Sequence, residues 1–158
     1  MRKIIFAALI ALTLFSMSCK KTFQPGKTAA VKAANGWWVT FTLGGADVYN
    51  LGTFFLNTYN TAANDDSIWV DDLEHSWEFK VKAKINYDSL TFSTTNAPNE
   101  YYDITVNITD GKILPKAGKS RSGNPTDSIY FQANFSDDPA DTYVISGTAR
   151  TGFIEDDY

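Results

Sequence analysis

The sequence predicts an all-β fold, a single antiparallel up-and-down barrel of eight strands. Apolar and polar residues alternate with a period of two in several short segments, which is the pattern of strands with one buried face. Aromatic residues make up 15% of the chain, and they favour strands over helices. Turn-forming residues separate these segments at regular intervals. A length of 158 residues fits one such domain.

The first element, residues 1–18, has the pattern of an export signal peptide. Arg2 and Lys3 form a basic start, and the apolar run over 4–15 is shorter than the roughly 20 residues that span a bilayer. Small residues precede Cys19 in an arrangement similar to a bacterial lipobox. We therefore expect cleavage before Cys19, lipidation of this residue, and anchoring in the bacterial cell envelope, at the outer membrane. The alternative is a secretory signal followed by an unmodified cysteine.

Residues 19–34 are predicted to form a flexible tether that carries the lipid on Cys19. This stretch is rich in lysine and poor in large apolar residues, so water solvates it readily. Contact of its lysines with anionic headgroups is a second interpretation. The barrel domain is predicted to extend over residues 35–158.

The clearest strand is 77–87, in which six apolar residues alternate with five polar ones. Such alternation predicts one buried face and one face in water. Seven further strands are predicted, four with clear alternation and three with weaker alternation: 37–43, 102–108, 129–135 and 143–153, then 53–59, 67–73 and 89–95.

Glycine, proline, asparagine and aspartate mark the turns between the strands, as in Gly44-Gly45 and Asp110-Gly111. The longest polar stretch, 114–126, is predicted to be a mobile loop. Short connections favour an up-and-down barrel over a sandwich with a long crossover. An outer-membrane barrel with apolar residues outside is disfavoured, because the acidic residues 155–157 do not resemble a terminal membrane strand.

Long segments of the chain resemble a known protein family. They are NTYNTAANDDSIWVDDLEHSWEFKVKAKINYDSLTF (57–92), YYDITVNITDGKIL (101–114), DSIYFQANFSDDP (127–139) and YVISGTARTGFIEDD (143–157). The chain looks like the Bacteroidetes lipoprotein family described as lipid-binding putative hydrolases, over about residues 35–157. The resemblance implies a lipocalin-like barrel on an envelope lipoprotein, with a lipid as its ligand.

The start of the first strand is also similar to that of lipocalins, because Gly36-Trp37-Trp38 satisfies a G-x-W pattern. Lipocalins pair such a tryptophan with an arginine at the closed end of the barrel, a role that the resemblance gives to Arg150. We therefore expect Gly36, Trp38 and Arg150 at the closure of the barrel. The guanidinium is expected within about 6 Å of an indole ring, either Trp37 or Trp38.

Eight aromatic residues are candidates for contact with an apolar ligand: Trp37, Phe41, Trp69, Trp77, Phe79, Tyr102, Phe131 and Phe135. Large rings at the mouth of a barrel would line a hydrophobic pocket. Core packing explains the same positions equally well. An eight-stranded barrel is wide enough either to be filled by side chains or to hold one small ligand, so both interpretations stay open.

The residue counts exclude several functional classes. A single cysteine and a single histidine exclude a disulfide scaffold, a Cys-based zinc cluster and a His-pair metal site. A formal net charge of −4 argues against binding to nucleic acid. The sequence implies neither a metal nor a cofactor.

No catalytic residue is predicted. Glu74-His75-Ser76 has the residue types of a triad, but adjacent strand residues point to opposite faces, and the chain has no G-x-S-x-G elbow. His75 is therefore expected to lie in a surface turn. The acidic residues within 65–78 and 137–141 are expected to be turn and rim acids rather than Ca²⁺ ligands or a glycosidase pair.

The sequence thus predicts a membrane-anchored lipoprotein whose barrel binds an apolar small molecule, with a lipid as the expected class. Two alternatives remain open. One is a weak hydrolase that acts on a lipid or ester through His75 or the acidic residues. The other is an accessory protein of an envelope complex with a fully packed barrel.

Overall fold

The computed structural model describes residues 27–158 and shows a closed barrel of eight antiparallel strands. Each strand pairs with the next along the chain, and the last strand pairs with the first. The predicted fold class, an all-β up-and-down barrel, is confirmed. The signal peptide and Cys19 lie outside the described residues. The strands are β1 (Asn35–Leu43), β2 (Phe54–Asn60), β3 (Ser67–Asp71), β4 (Lys80–Asn86), β5 (Thr91–Pro98), β6 (Thr105–Lys119), β7 (Pro125–Phe135) and β8 (Asp138–Ala149).

The barrel closes where β1 meets β8. The two strands pair from Trp37 opposite Ala149 to Leu43 opposite Tyr143. They approach so closely at Gly147 that a Cβ atom there would collide with the backbone of Trp38. The glycine is therefore required by the close approach of the backbones at this closure.

The interior of the barrel is apolar because the inward-facing residues of each strand alternate with polar residues outside. In β4, Val81, Ala83 and Ile85 are buried whereas Lys82 and Lys84 are exposed. The largest fully buried side chains come from six strands and the loop before β4: Trp37, Phe41, Leu56, Ile68, Phe79, Ile108, Ile113, Ile129, Phe131, Phe135, Tyr143 and Ile145. Their burial supplies the main stabilisation of the barrel, at about 25 cal/mol per Å² of apolar surface.

The longest predicted loop is a pair of strand ends instead. β6 continues to Lys119 and β7 begins at Pro125, so residues 114–119 and 125–126 are strand and only 120–124 form the turn between them. The prediction of a loop over the whole of 114–126 is wrong. Asp110-Gly111 is likewise no turn but lies in a bulge within β6, where Asp110 has a φ of 53°. The bulge bends the strand without ending it. Polar composition misled the prediction because this long hairpin has little buried surface.

The ends of the predicted strands differ from those in the structure, as β4 and β8 show. β4 begins at Lys80 rather than at residue 77, and Trp77 lies in the connection before it. Positive φ angles at Leu73, Glu74 and Glu78 turn this connection away from strand geometry. β8 extends over Asp138–Ala149 rather than 143–153.

The residues before β1 pack against one end of the barrel. A 3-10 helix extends over Ala29–Lys32, and Ala30 and Ala33 are fully buried. This part of the predicted tether is therefore packed, and the rest of the tether lies outside the described residues. Within 27–158, no helix has the length and apolar character needed to cross a membrane.

The two ends of the barrel have different connections. One end, which we call the aromatic end, is formed by residues 44–53, 72–79, 99–104 and 136–137. The opposite end, which we call the tether end, is formed by residues 27–34, 61–66, 87–90, 120–124 and 150–158.

Candidate functional site

Five aromatic rings form a continuous cluster at the aromatic end of the barrel. Trp77 stacks on Phe135 with 4.9 Å between ring centroids and on Phe41 with 6.1 Å. Tyr143 stacks on Phe41 at 4.5 Å, and Tyr49 lies edge-on to Trp77 at 5.7 Å. The cluster leads from the surface to the buried core, because Tyr49 is 49% exposed whereas Phe41, Phe135 and Tyr143 are buried.

Two carboxylates hold the polar atoms of these rings. Asp137 accepts a hydrogen bond at Oδ1 from Nε1 of Trp77 and one at Oδ2 from the hydroxyl of Tyr102, both at 3.1 Å. Asp138 accepts the hydroxyl of Tyr143, so the hydroxyl of Tyr49 is the donor in its 2.9 Å bond to Tyr143. Burial and the bond to Asp137 raise the pKa of Tyr102 to about 12, and burial with the bond to Asp138 raises that of Tyr143 further. Both phenols are therefore protonated donors at neutral pH.

The connection that carries Trp77 is built around the buried carboxylate of Asp72. Asp72 accepts backbone hydrogen bonds from Glu74, Ser76, Trp77 and Phe79, and a further bond from the Ser76 hydroxyl. Burial raises the pKa of this carboxyl, and the hydrogen bonds to it act in the opposite direction. Asp72 thus fixes the backbone of the connection at several points, while the side chain of Trp77 stays only partly buried.

A surface pocket of about 300 Å³ adjoins the cluster, and it is lined by Ser76, Trp77, Glu78, Tyr102 and Asp137. Tyr102, at 39% exposure, lies at its rim. The pocket therefore offers two aromatic side chains beside two carboxylates. The arrangement can bind a small amphiphile, since rings contact an apolar chain and the polar groups orient its head.

A sequence profile of one family, described as "Lipid-binding putative hydrolase", matches residues 23–154. The chain belongs to this family. No curated protein matches the chain. The lipid-binding half of the description agrees with a barrel that has rings exposed at one end.

The predicted ligand contacts of this family member fall into three groups. Phe41, Trp77, Phe135 and Tyr102 lie at the aromatic end, as described above. Trp37, Phe79 and Phe131 are fully buried in the packed core, where Phe79 and Phe131 contact each other edge to face at 6.4 Å.

Trp69 belongs to neither region and is the clear correction. Its neighbours Ile68 and Val70 point inward, so the indole lies on the outer face of β3. There it contacts the ammonium groups of Lys80 and Lys82, at 5.2 and 4.9 Å from the ring centroid. Trp69 therefore cannot line the interior.

The sequence prediction missed Tyr49 and Tyr143. Tyr143 stands on the apolar face of its predicted strand, and this parity was a usable signal. Tyr49 lies in the long connection 44–53, where alternation has no meaning. Asp47 turns that connection back through bonds to the backbone of Leu51 and Gly52, which brings Tyr49 over the barrel.

The closure residues meet at the tether end with a different partner from the one expected. The backbone of Arg150 bonds to Gly36, and its guanidinium forms two bonds with Asp157. The aromatic ring under the guanidinium is Phe55, at 5.8 Å, so the predicted contact with an indole is wrong. Gly36 makes room for this ring, because a Cβ there would collide with Phe55. Trp38 lies on the outer side of Phe55, at 5.1 Å between centroids.

The geometry around His75 bears on the hydrolase half of the family description. His75 is exposed, and its Nδ1 lies 2.9 Å from the carbonyl oxygen of Asp72 and 3.0 Å from that of Phe55, so this nitrogen carries the proton. The hydroxyl of Ser76 donates to Asp72 rather than to the imidazole. Asp72, His75 and Ser76 therefore do not form a nucleophile and base pair in this arrangement.

Two further acidic residues of the predicted cluster accept hydrogen bonds from neighbouring groups. Asp65 accepts from Ser67 and Thr61, and Asp71 accepts the hydroxyls of Tyr59 and Tyr101. Among residues 27–158, no three His, Cys, Asp or Glu side chains converge to form a metal site.

Proposed function

We propose that the protein is a lipid-anchored lipoprotein of the bacterial envelope, at the outer membrane, that binds an apolar small molecule, a lipid, at the aromatic end of its barrel. The observation that carries the proposal is the ring cluster of Phe41, Tyr49, Trp77, Phe135 and Tyr143. It connects the surface to the apolar core, and the family description supports a lipid as the ligand.

Trp77 is the side chain whose position an incoming chain would take. The rings below it are buried and in contact with one another, so side chains fill this part of the interior. Trp77 is only partly buried, and positive φ angles flank it at Glu74 and Glu78. An alkyl chain that displaces the indole gains contacts with Phe41 and Phe135 equivalent to those that the indole loses.

The test combines native mass spectrometry with fluorescence. The protein purified from bacterial envelopes is expected to carry a copurifying lipid in native mass spectrometry. After removal of that lipid, titration with 1-dodecanol or a monoacylglycerol should change the tryptophan emission. The change should disappear in Trp77→Phe, because the responding indole is the one at the aromatic end.

Trp69→Phe is the matched control. Its indole lies on the outer face against two lysines, so the variant should retain the whole fluorescence response. A response lost in Trp69→Phe and retained in Trp77→Phe would place the ligand elsewhere. If no lipid copurifies and neither titrant changes the emission, lipid binding is refuted and the accessory-protein alternative is favoured.

A further inference from the structure

The charges at the two ends of the barrel are distributed unequally. The four connections of the aromatic end contain seven acidic residues and neither lysine nor arginine. The segments of the tether end contain six acidic residues together with Lys27, Lys32, Arg121 and Arg150. The connections of the aromatic end therefore carry a more negative net charge than those of the tether end, and this charge acts on any charged ligand that approaches it.

The carboxylates lie directly at the ring cluster. Both oxygens of Asp137 accept hydrogen bonds from the aromatic side chains, one from Nε1 of Trp77 and one from the hydroxyl of Tyr102. Glu78 is exposed and lines the same 300 Å³ pocket. A group bound against the faces of these rings is thus close to two negative charges.

Aromatic faces and carboxylates attract the same kind of ligand group. The face of a ring carries partial negative charge, so an ammonium group is attracted to it as it is to a carboxylate. A fatty-acid carboxylate or a phosphate is repelled by both. The rings and the charges are independent features, and they favour the same sign of charge on the ligand.

We infer that the site selects amphiphiles by the charge of their heads, and that its ligand is a cationic amphiphile such as a long-chain amine. The ammonium head lies in the pocket against Tyr102, beside Asp137 and Glu78, and the alkyl chain takes the place of the Trp77 indole against Phe41 and Phe135. This inference rests on the proposed binding of an apolar chain at the aromatic end.

Three probes with the same chain separate the head charge from the chain. Dodecylamine, 1-dodecanol and dodecanoic acid carry a positive, a neutral and a negative head at pH 7. Each is titrated below its critical micelle concentration, with Trp77 fluorescence as the readout. The dissociation constant of dodecylamine should be about tenfold lower than that of dodecanoate, with 1-dodecanol between them, and the ratio should shrink as salt is added.

Removal of the carboxylates tests the cause of the preference. The variant Glu78→Gln with Asp137→Asn removes both charges. The asparagine keeps one oxygen as the acceptor for Nε1 of Trp77, and its NH2 group can donate to the hydroxyl oxygen of Tyr102. The tenfold preference for the amine should fall to about twofold or less. Glu78→Gln alone, at an exposed position, should lower it partially and serves as the test if the double variant does not fold. Asp88→Asn, at the tether end, is the matched control and should keep the full preference.

The outcomes separate this inference from the proposed function. Binding of 1-dodecanol together with equal or tighter binding of dodecanoate overturns the charge selection and leaves lipid binding in place. A preference that persists in the double variant also overturns it. Absence of any response to all three probes overturns the proposed function itself.

Discussion

A single hydroxyl joins the start of the domain to the barrel. Thr58, in β2, accepts a hydrogen bond from Nε1 of Trp37 at 2.8 Å and donates one to the carbonyl oxygen of Ala33. All three residues are buried. The carbonyl belongs to Ala33, the residue that follows the 3-10 helix, so this bond holds the packed N-terminal segment on the barrel.

Thr58→Val should therefore destabilise the protein although it keeps the side-chain volume. The variant leaves an N–H group and a carbonyl group buried without partners, each at a cost of about 1–3 kcal/mol. Urea unfolding followed by tryptophan fluorescence measures the loss in the free energy of unfolding. Thr40→Val is the control, because its hydroxyl makes only a long 3.4 Å bond from the outer face. Equal losses in both variants would contradict the role given to Thr58.

Trp69 and Trp77 show what single positions allow a sequence to predict. Both are tryptophans in alternating segments beside charged residues, and both were candidates for the same pocket. The structure places Trp69 against two lysine side chains outside the barrel and Trp77 against rings at its end. The inward direction of Ile68 and Val70 would have assigned Trp69 to the outer face. Trp77 is a candidate from the alternation of 77–87, but it lies in a connection whose direction depends on the buried carboxylate of Asp72, so the alternation does not explain its position.

The C-terminal segment is the element whose stability depends most clearly on pH. Residues 150–158 fold back onto the tip of the β6–β7 hairpin, where Asp156 accepts the hydroxyl of Thr151 and the backbone N–H of Ser122. These bonds lower the pKa of Asp156 to about 2. Because the pKa is lower in the folded state, the bonds stabilise the segment above the ordinary value of 3.8, and the stabilisation is lost as the pH falls from there toward 2.

Asp156→Asn should therefore be less stable than the wild type at pH 7, and the difference should shrink as the pH falls through this window. Urea unfolding at pH 7, 5, 3.5 and 2.5 measures the difference. Asp88→Asn, in the turn between β4 and β5, is the control for the removal of one surface carboxylate. A difference between Asp156→Asn and the wild type that stays constant down to pH 2.5 would refute the proposed role of the carboxylate.

Elements with one buried face were predictable, and elements without one were not. The alternation in β1, β4 and β7 reports burial directly, so their positions followed from the residues. The ends of β6 and β7 project beyond the core, and Lys116 donates its backbone N–H to Asp127 on the neighbouring strand. Hydrogen bonds of this kind leave no periodic signal, which explains why a polar strand pair was predicted to be a loop.

The two ends of the barrel differ, because the first described residues lie at one end and the ring cluster lies at the other. The first described residues pack at the tether end, and the C-terminal segment covers the same end. A lipid on Cys19 would therefore hold the tether end nearer the bilayer and turn the aromatic end toward the surrounding solution. In this orientation an amphiphile would reach the aromatic end from the solution rather than from the bilayer that holds the anchor.

The anchor is tested by changing its single attachment point. The wild-type protein should sediment with membranes, and its intact mass should exceed that of residues 19–158 by the added acyl groups, since stable anchoring needs more than one chain. Cys19→Ala should move to the soluble fraction, while its tryptophan emission and its response to 1-dodecanol stay those of the wild type, because the barrel and the aromatic end lie beyond the tether. Lys27→Ala, in the same N-terminal region, is the control and should remain with the membranes. A wild-type protein that is soluble and has the mass of the unmodified chain would refute lipidation of Cys19, and the orientation argued from it would be refuted as well.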